Sequence, residues 1–195
     1  MKSQESLIDQ LEDAVSGKSL ARRADMLKRV TDLFLCSSGT HSPAEIDLFD
    51  EVMTRLVDSV EVAARAQFGN RLADAADAPG NVMRLLAFDR AIEVAGPVLS
   101  RSERLSDEDL IRNAETMSQD HLLAISKRRE LKEGLTDVLI TRGNRAVLVS
   151  TATNSGSRFS PVGVSSLVEK AGSDDTLALS IWARRDIPRQ QMVRL

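Results

Sequence analysis

Helix-start chemistry recurs along this chain at a nearly fixed interval, and that recurrence limits the folds open to it. An apolar or small residue precedes each expected helix start at Ala78, Leu105, Leu131, Phe159 and Ile187, with intervals of 27, 26, 28 and 28 residues. Three of these run into proline: Ala78-Pro79, Phe159-Ser160-Pro161 and Ile187-Pro188. Leu105-Ser106 has a capping serine without the proline, and the Leu131 position has neither. A serine at the N-cap satisfies an otherwise free helix N–H, and proline suits the first turn, where its missing donor costs nothing. In Leu105-Ser106-Asp107-Glu108-Asp109-Leu110 the acids meet the positive end of the helix dipole, and Leu105 is spaced to pack on Leu110 as a hydrophobic staple. Phe159 and Val164 stand in the same relation.

Self-similarity at such a period marks repeat arrays. Each unit holds room for two short helices. The spacing predicts one set at Pro79–Ala87, Asp107–Glu115, Lys132–Thr141, Pro161–Lys170 and Pro188–Leu195, and a second at Ala91–Leu99, Gln119–Lys127, Arg145–Thr153 and Asp174–Arg184. Gly143-Asn144 and Gly172-Ser173 read as helix exits. Helices this short are marginal alone and must stack to bury a continuous core. The expected fold class is therefore all-α: an α-α superhelix, a HEAT-like solenoid of short helix pairs with about 27 residues per repeat. With no Tyr, one Trp and five Phe, the core falls to Leu, Val, Ile, Ala and Met, and a β-sandwich is disfavoured.

Residues 1–72 do not follow the period and read as an N-terminal helical subdomain or cap; residues 73–195 form the expected array. In the cap, Leu7, Leu11 and Ala14 share a helical face, and Gly17-Lys18 breaks the run. Leu20, Ala24, Leu27, Val30 and Phe34 then form the next stripe. Ser42-Pro43-Ala44-Glu45 is a capping box with proline, ahead of Ile46, Phe49, Val52, Met53, Leu56 and Val60. A short helix over Ala63–Leu72 follows. At the other end, Ile187, Met192, Val193 and Leu195 lack a following element, which suggests an array truncated at its C-terminus or an uncapped repeat that pairs in a homodimer.

Catalytic patterns are scarce. The lone cysteine, Cys36, excludes an intramolecular disulfide and, beside Phe34 and Leu35, is expected to be a buried structural thiol. His41 and His121 lack metal-ligand spacing, and neither a phosphate-binding glycine loop nor a nucleophile elbow occurs. The acid pairs Asp107/Asp109 and Asp174/Asp175 sit at helix starts, where the dipole accounts for them. Met1–Gln10 lacks the signal-peptide pattern, and no apolar run approaches the ~20 residues that span a bilayer. The expectation is a cytoplasmic, non-enzymatic protein with no cofactor, no metal and no membrane partner.

Charge is uneven. Residues 1–117 carry a net charge of −7 and residues 118–195 a net of +4. Lys127, Arg128, Arg129, Arg142, Arg145, Arg184, Arg185 and Arg189 form a candidate basic stripe for an acidic partner surface. A structural use competes with this for some of them. Asp137 with Arg142, and Arg184-Arg185-Asp186, are placed to join helices through bidentate hydrogen bonds.

Several segments also carry a family likeness: Leu123-Ala124-Ile125-Ser126, Leu135-Thr136-Asp137-Val138-Leu139 with Arg142-Gly143, Asn154-Ser155-Gly156-Ser157-Arg158-Phe159-Ser160, Leu167-Val168-Glu169-Lys170-Ala171 and Arg184-Arg185-Asp186-Ile187-Pro188. Upstream, Arg71-Leu72-Ala73 through Ala78-Pro79, and Val94-Ala95-Gly96-Pro97-Val98-Leu99, look similar too. Together they resemble an alphaproteobacterial family of unknown function, DUF2336. The resemblance implies HEAT-like helices and no particular activity, and it treats these motifs as repeat punctuation.

The architecture and the empty search for catalysis together imply a protein–protein interaction scaffold or adaptor. The alternative is a HEAT-like nucleic-acid-binding module using the C-terminal arginines. Net negative charge and few stacking aromatics make nucleic acid the weaker partner.

Overall fold

A computed structural model describes residues 20–187 and 189–192. Among these, eleven α-helices form and no strand does. They are α1 Leu20–Cys36, α2 Pro43–Val57, α3 Val62–Leu72, α4 Gly80–Ala87, α5 Ile92–Arg101, α6 Asp107–Thr116, α7 Gln119–Ile125, α8 Glu133–Arg142, α9 Arg145–Thr153, α10 Pro161–Ala171 and α11 Asp175–Trp182. The last expected helix is not an α-helix over its described part, where Arg189–Met192 form a 3-10 turn. The stripe at Leu7, Leu11 and Ala14, the Gly17-Lys18 break, Pro188 and the 193–195 segment lie outside the described residues.

The chain divides into two compact units, residues 1–98 with 102–105, and residues 99–101 with 106–195. In the first, α1 packs on α2 and α3, while α4 packs on α2 and α3. Phe34, Met53, Leu56, Leu72, Met83 and Leu86 are fully buried there. Ser42 caps α2 in a complete capping box with Glu45, as its sequence predicts. Pro79, at the N-cap of α4, offers no side-chain acceptor. The buried Asp50 carboxylate of α2 supplies one, accepting from the N–H groups of Asn81 (3.1 Å) and Val82 (2.8 Å).

The His41 ring is packed into the first unit. It stacks on Phe34 at 4.5 Å, and its Nδ1 lies 2.7 Å from Asp77 Oδ2. Asp77 also accepts from Ser38 Oγ and from the Gly39 N–H, each at 2.6 Å. Gly39 takes φ +85°, the left-handed conformation that glycine adopts without strain. Burial pushes the Asp77 carboxyl up, but the hydrogen bonds from His41, Ser38 and Gly39 outweigh it and hold the group at about 2. A folded value below the ordinary 3.8 means that the ionised form favours the fold. That stabilisation is complete above the ordinary value and is lost as pH falls through about 2. Asp77→Asn should therefore flatten the fall in stability between those two values, measured by urea unfolding across an acid pH series. An unchanged acid limb would show that this carboxylate is not coupled to folding.

In the second unit the helices form two rows. α6 packs on α8 and α8 on α10; α7 packs on α9 and α9 on α11. Rungs α6–α7, α8–α9 and α10–α11 join the rows. The core at the α10–α11 end holds Ile140, Leu148, Ala152, Val164, Leu167, Val168, Leu177, Ile181 and Ile187, with Phe159 packed against it. Ser106 and Ser160 cap α6 and α10 by accepting from the Asp109 and Gly163 N–H groups at 3.1 and 2.9 Å. No described helix is long and apolar enough to cross a membrane.

Two expectations in these units need correction, for Cys36 and for the Asp137–Arg142 pair. Cys36 is exposed, not buried. It lies two residues beyond the buried Phe34, about 200° around the helix and so on the opposite face. The helix exits at Gly143 and Gly172 stand as expected: α8 ends at Arg142 and α10 at Ala171, with Gly143 extended and Gly172 helical at the C-cap. Gly143 does not end its helix in the left-handed conformation but serves close approach, because an added Cβ would lie 2.7 Å from Val147 Cγ1 and closer still to the Leu139 carbonyl oxygen. Nor does Asp137 pair with Arg142. Asp137 accepts from Ser160 Oγ at 2.8 Å, and the Arg142 guanidinium reaches back to the Ala114 carbonyl.

Candidate functional site

Three loops of the second unit come together, and their assembly follows from the residues that pin them. Lys132, at the N-cap of α8, makes no side-chain cap. Its neighbour Leu131 forms a parallel bridge with Ser157: the Leu131 N–H donates to Gly156 O at 3.0 Å, and Leu131 O accepts from the Arg158 N–H at 2.8 Å. Asn154 fixes the same approach, its amide donating to Ser126 O (2.9 Å) and Arg128 O (2.7 Å). Gly156 permits the contact, since an added Cβ would lie 2.9 Å from the Arg129 carbonyl carbon and closer still to its oxygen.

Arg184 ties the third loop on. Its guanidinium donates to Ala152 O (3.0 Å), Asn154 O (2.6 Å) and Ser157 O (2.8 Å) and lies 4.7 Å from the centre of the Phe159 ring. It also makes a bidentate pair with Asp186 at 2.9 and 2.7 Å, within one loop and not between helices as the sequence suggests. Burial pushes the Asp186 carboxyl up, but the hydrogen bonds and charge of Arg184, with Arg158 nearby, hold it below its ordinary value.

Between these loops, the end of α9 and one face of α11 lies an open groove of about 1170 Å³. Its charged lining is Arg129, Lys132, Arg158, Arg184 and Arg185 against Glu130 and Asp186. Lys132 is ion-paired with Asp107, and Arg184 is spent on carbonyls and Asp186. Arg129, Arg158 and Arg185 are exposed and enter no side-chain hydrogen bond or salt bridge among the described residues. Uncharged positions between them include Ser155, Thr176, Ser180 and Leu179, the last 69% exposed.

The candidate basic stripe is thus divided. Arg129, Arg184 and Arg185 meet in the groove. Lys127, Arg128 and Arg129 border an adjoining depression with Ser150 and Asn154, and Arg128 donates to Leu99 O at 2.7 Å. Arg142 is tethered to Ala114, and Arg145 pairs with Asp174 at 2.5 Å in a separate depression. Arg189 is exposed on the 3-10 turn. Lys132 and Arg158 are groove residues that the charge pattern does not single out. The repeat register would have found Arg158, which stands 29 residues after Arg129 and 27 before Arg185.

His121 is buried, with Nδ1 2.7 Å from Ser118 Oγ. No cluster of three or more His, Cys, Asp or Glu side chains suited to a metal ion occurs among the described residues.

A family model described as an uncharacterised protein conserved in bacteria, DUF2336, matches residues 94–195, just over half of the chain and all of the groove. No curated protein and no solved structure matches the chain.

Proposed function

This chain belongs to the uncharacterised bacterial family DUF2336, and from that membership and the groove we propose a non-catalytic, cytoplasmic, HEAT-like repeat scaffold that holds an acidic protein segment. The repeat reading is supported by helix starts at residues 107, 133 and 161 on one row of the second unit. It is supported too by ties between residues one repeat apart. Arg104 to Ala78, Arg128 to Leu99, Lys132 to Asp107, Arg142 to Ala114, Arg145 to Asp174 and Thr153 to Ser180 are separated by 25 to 29 residues. Stacked units linked to their nearest neighbours are the logic of a solenoid.

One observation carries the binding role. Three exposed arginines from three successive loops converge on one groove, while their neighbours Arg128 and Arg184 are consumed in holding the loops. The described lining includes no aromatic residue on which a base could stack, which favours a polypeptide over a nucleic acid.

Titrating the full chain against fluorescein-labelled poly-L-glutamate tests this. Anisotropy should report binding that weakens with salt. The R129E/R158E/R185E variant should lose at least about tenfold in affinity, given up to about fivefold for each exposed ion pair, with its thermal transition unchanged. An unchanged affinity in that variant, or a labelled thymidine oligonucleotide bound as tightly as poly-glutamate, would overturn the reading.

A further inference from the structure

We propose that the groove reads spacing as well as charge: it takes an extended acidic segment with a carboxylate at every third residue. The inference rests on the scaffold reading above. Arg129, Arg158 and Arg185 each follow the C-terminal end of one helix in a single row, α7, α9 and α11. Packed helices lie about 8–10 Å apart, so the loops that carry the three arginines leave the row at about that interval.

An extended polyproline-type chain rises ~3.1 Å per residue with three residues per turn. Every third side chain therefore faces the same way, about 9 Å further on, which matches the rungs. A β-strand presents same-face side chains about 6.6 Å apart and falls out of step. The spacer residues would lie over uncharged groove positions, where Leu179 offers an exposed apolar surface for prolines or aliphatic side chains. Glu130 is exposed in the same groove and would repel the surplus carboxylates of a contiguous acidic run, whereas Asp186 is paired with Arg184. The site thus favours spaced acids for two separate reasons, register and repulsion.

The test uses the full chain and two fluorescein-labelled peptides of identical composition. One is built of Glu-Pro-Pro triplets; the other gathers its glutamates at one end. The triplet peptide should bind about tenfold more tightly, because it reaches three rungs where the other reaches one. Arg158→Ala, which removes the middle rung, should erase most of that preference, and Arg158→Lys should restore part of it. Equal affinity for the two peptides would overturn the spacing proposal. If poly-glutamate binding in that case still depends on the three arginines, the scaffold reading survives alone. If neither peptide nor poly-glutamate binds, both fall.

Discussion

Arg184→Ala should destabilise the C-terminal unit by about 3 kcal/mol, the range expected when several buried partners are stripped at once. The Arg184 side chain is 8% exposed. It satisfies the carbonyls of Ala152, Asn154 and Ser157, pairs with Asp186 and covers the Phe159 ring. Alanine would leave these carbonyls without their donor and open the floor of the groove. Arg184→Lys should recover little, because an ammonium is a point charge and cannot serve three carbonyls and a carboxylate from one position. Thermal scans followed by far-ultraviolet circular dichroism should show a fall of about 10 °C for both variants. A transition superimposable on that of the unaltered chain would mean that the loops are held by something else.

Gly156→Ala should have a comparable effect by a different route. Its Cβ would press on the Arg129 carbonyl, and that obstacle is backbone, which cannot swing aside. The Leu131–Ser157 bridge must separate, and the loop carrying Arg158 moves with it. Overpacking of this kind costs about 1–3 kcal/mol, and the rigid neighbour argues for the upper end. Because Arg184 grips the same loop through Ser157, the two substitutions should combine for less than their sum. Full additivity in urea unfolding would show that the two loops are fastened independently. Gly156→Ala should also weaken poly-glutamate binding, since it displaces the middle arginine without touching its charge.

Helix positions were legible because their signals are local. Ser42, Ser106 and Ser160 cap in the structure as their sequence context predicts, and the Arg145–Thr153 helix has the predicted bounds. Cys36 misleads because its apolar neighbours, Phe34 and Leu35, do not share its face of the helix. The cap of α4 could not be read locally at all, because its acceptor, Asp50, lies 31 residues upstream.

The groove was half legible. Charge pattern alone gathers Arg128, Arg129, Arg184 and Arg185, but it cannot say which guanidinium turns inward to a carbonyl and which stays exposed. That division depends on loop contacts such as Arg128 to Leu99 and Arg184 to Asn154, set by partners 29 and 30 residues away. Asp137 and Arg142 illustrate the reverse error: a plausible pair five residues apart gives way to longer-range partners at Ser160 and Ala114.

Hydrogen exchange of the full chain, with and without poly-L-glutamate, locates the surface that an acidic segment covers. Exchange should slow over residues 129–132, 155–158 and 176–186 together, three stretches that line the groove, and that protection should be lost in R129E/R158E/R185E. Protection confined to the surroundings of Arg142 and Arg145, or no change in those three stretches at saturating poly-glutamate, would contradict the scaffold reading.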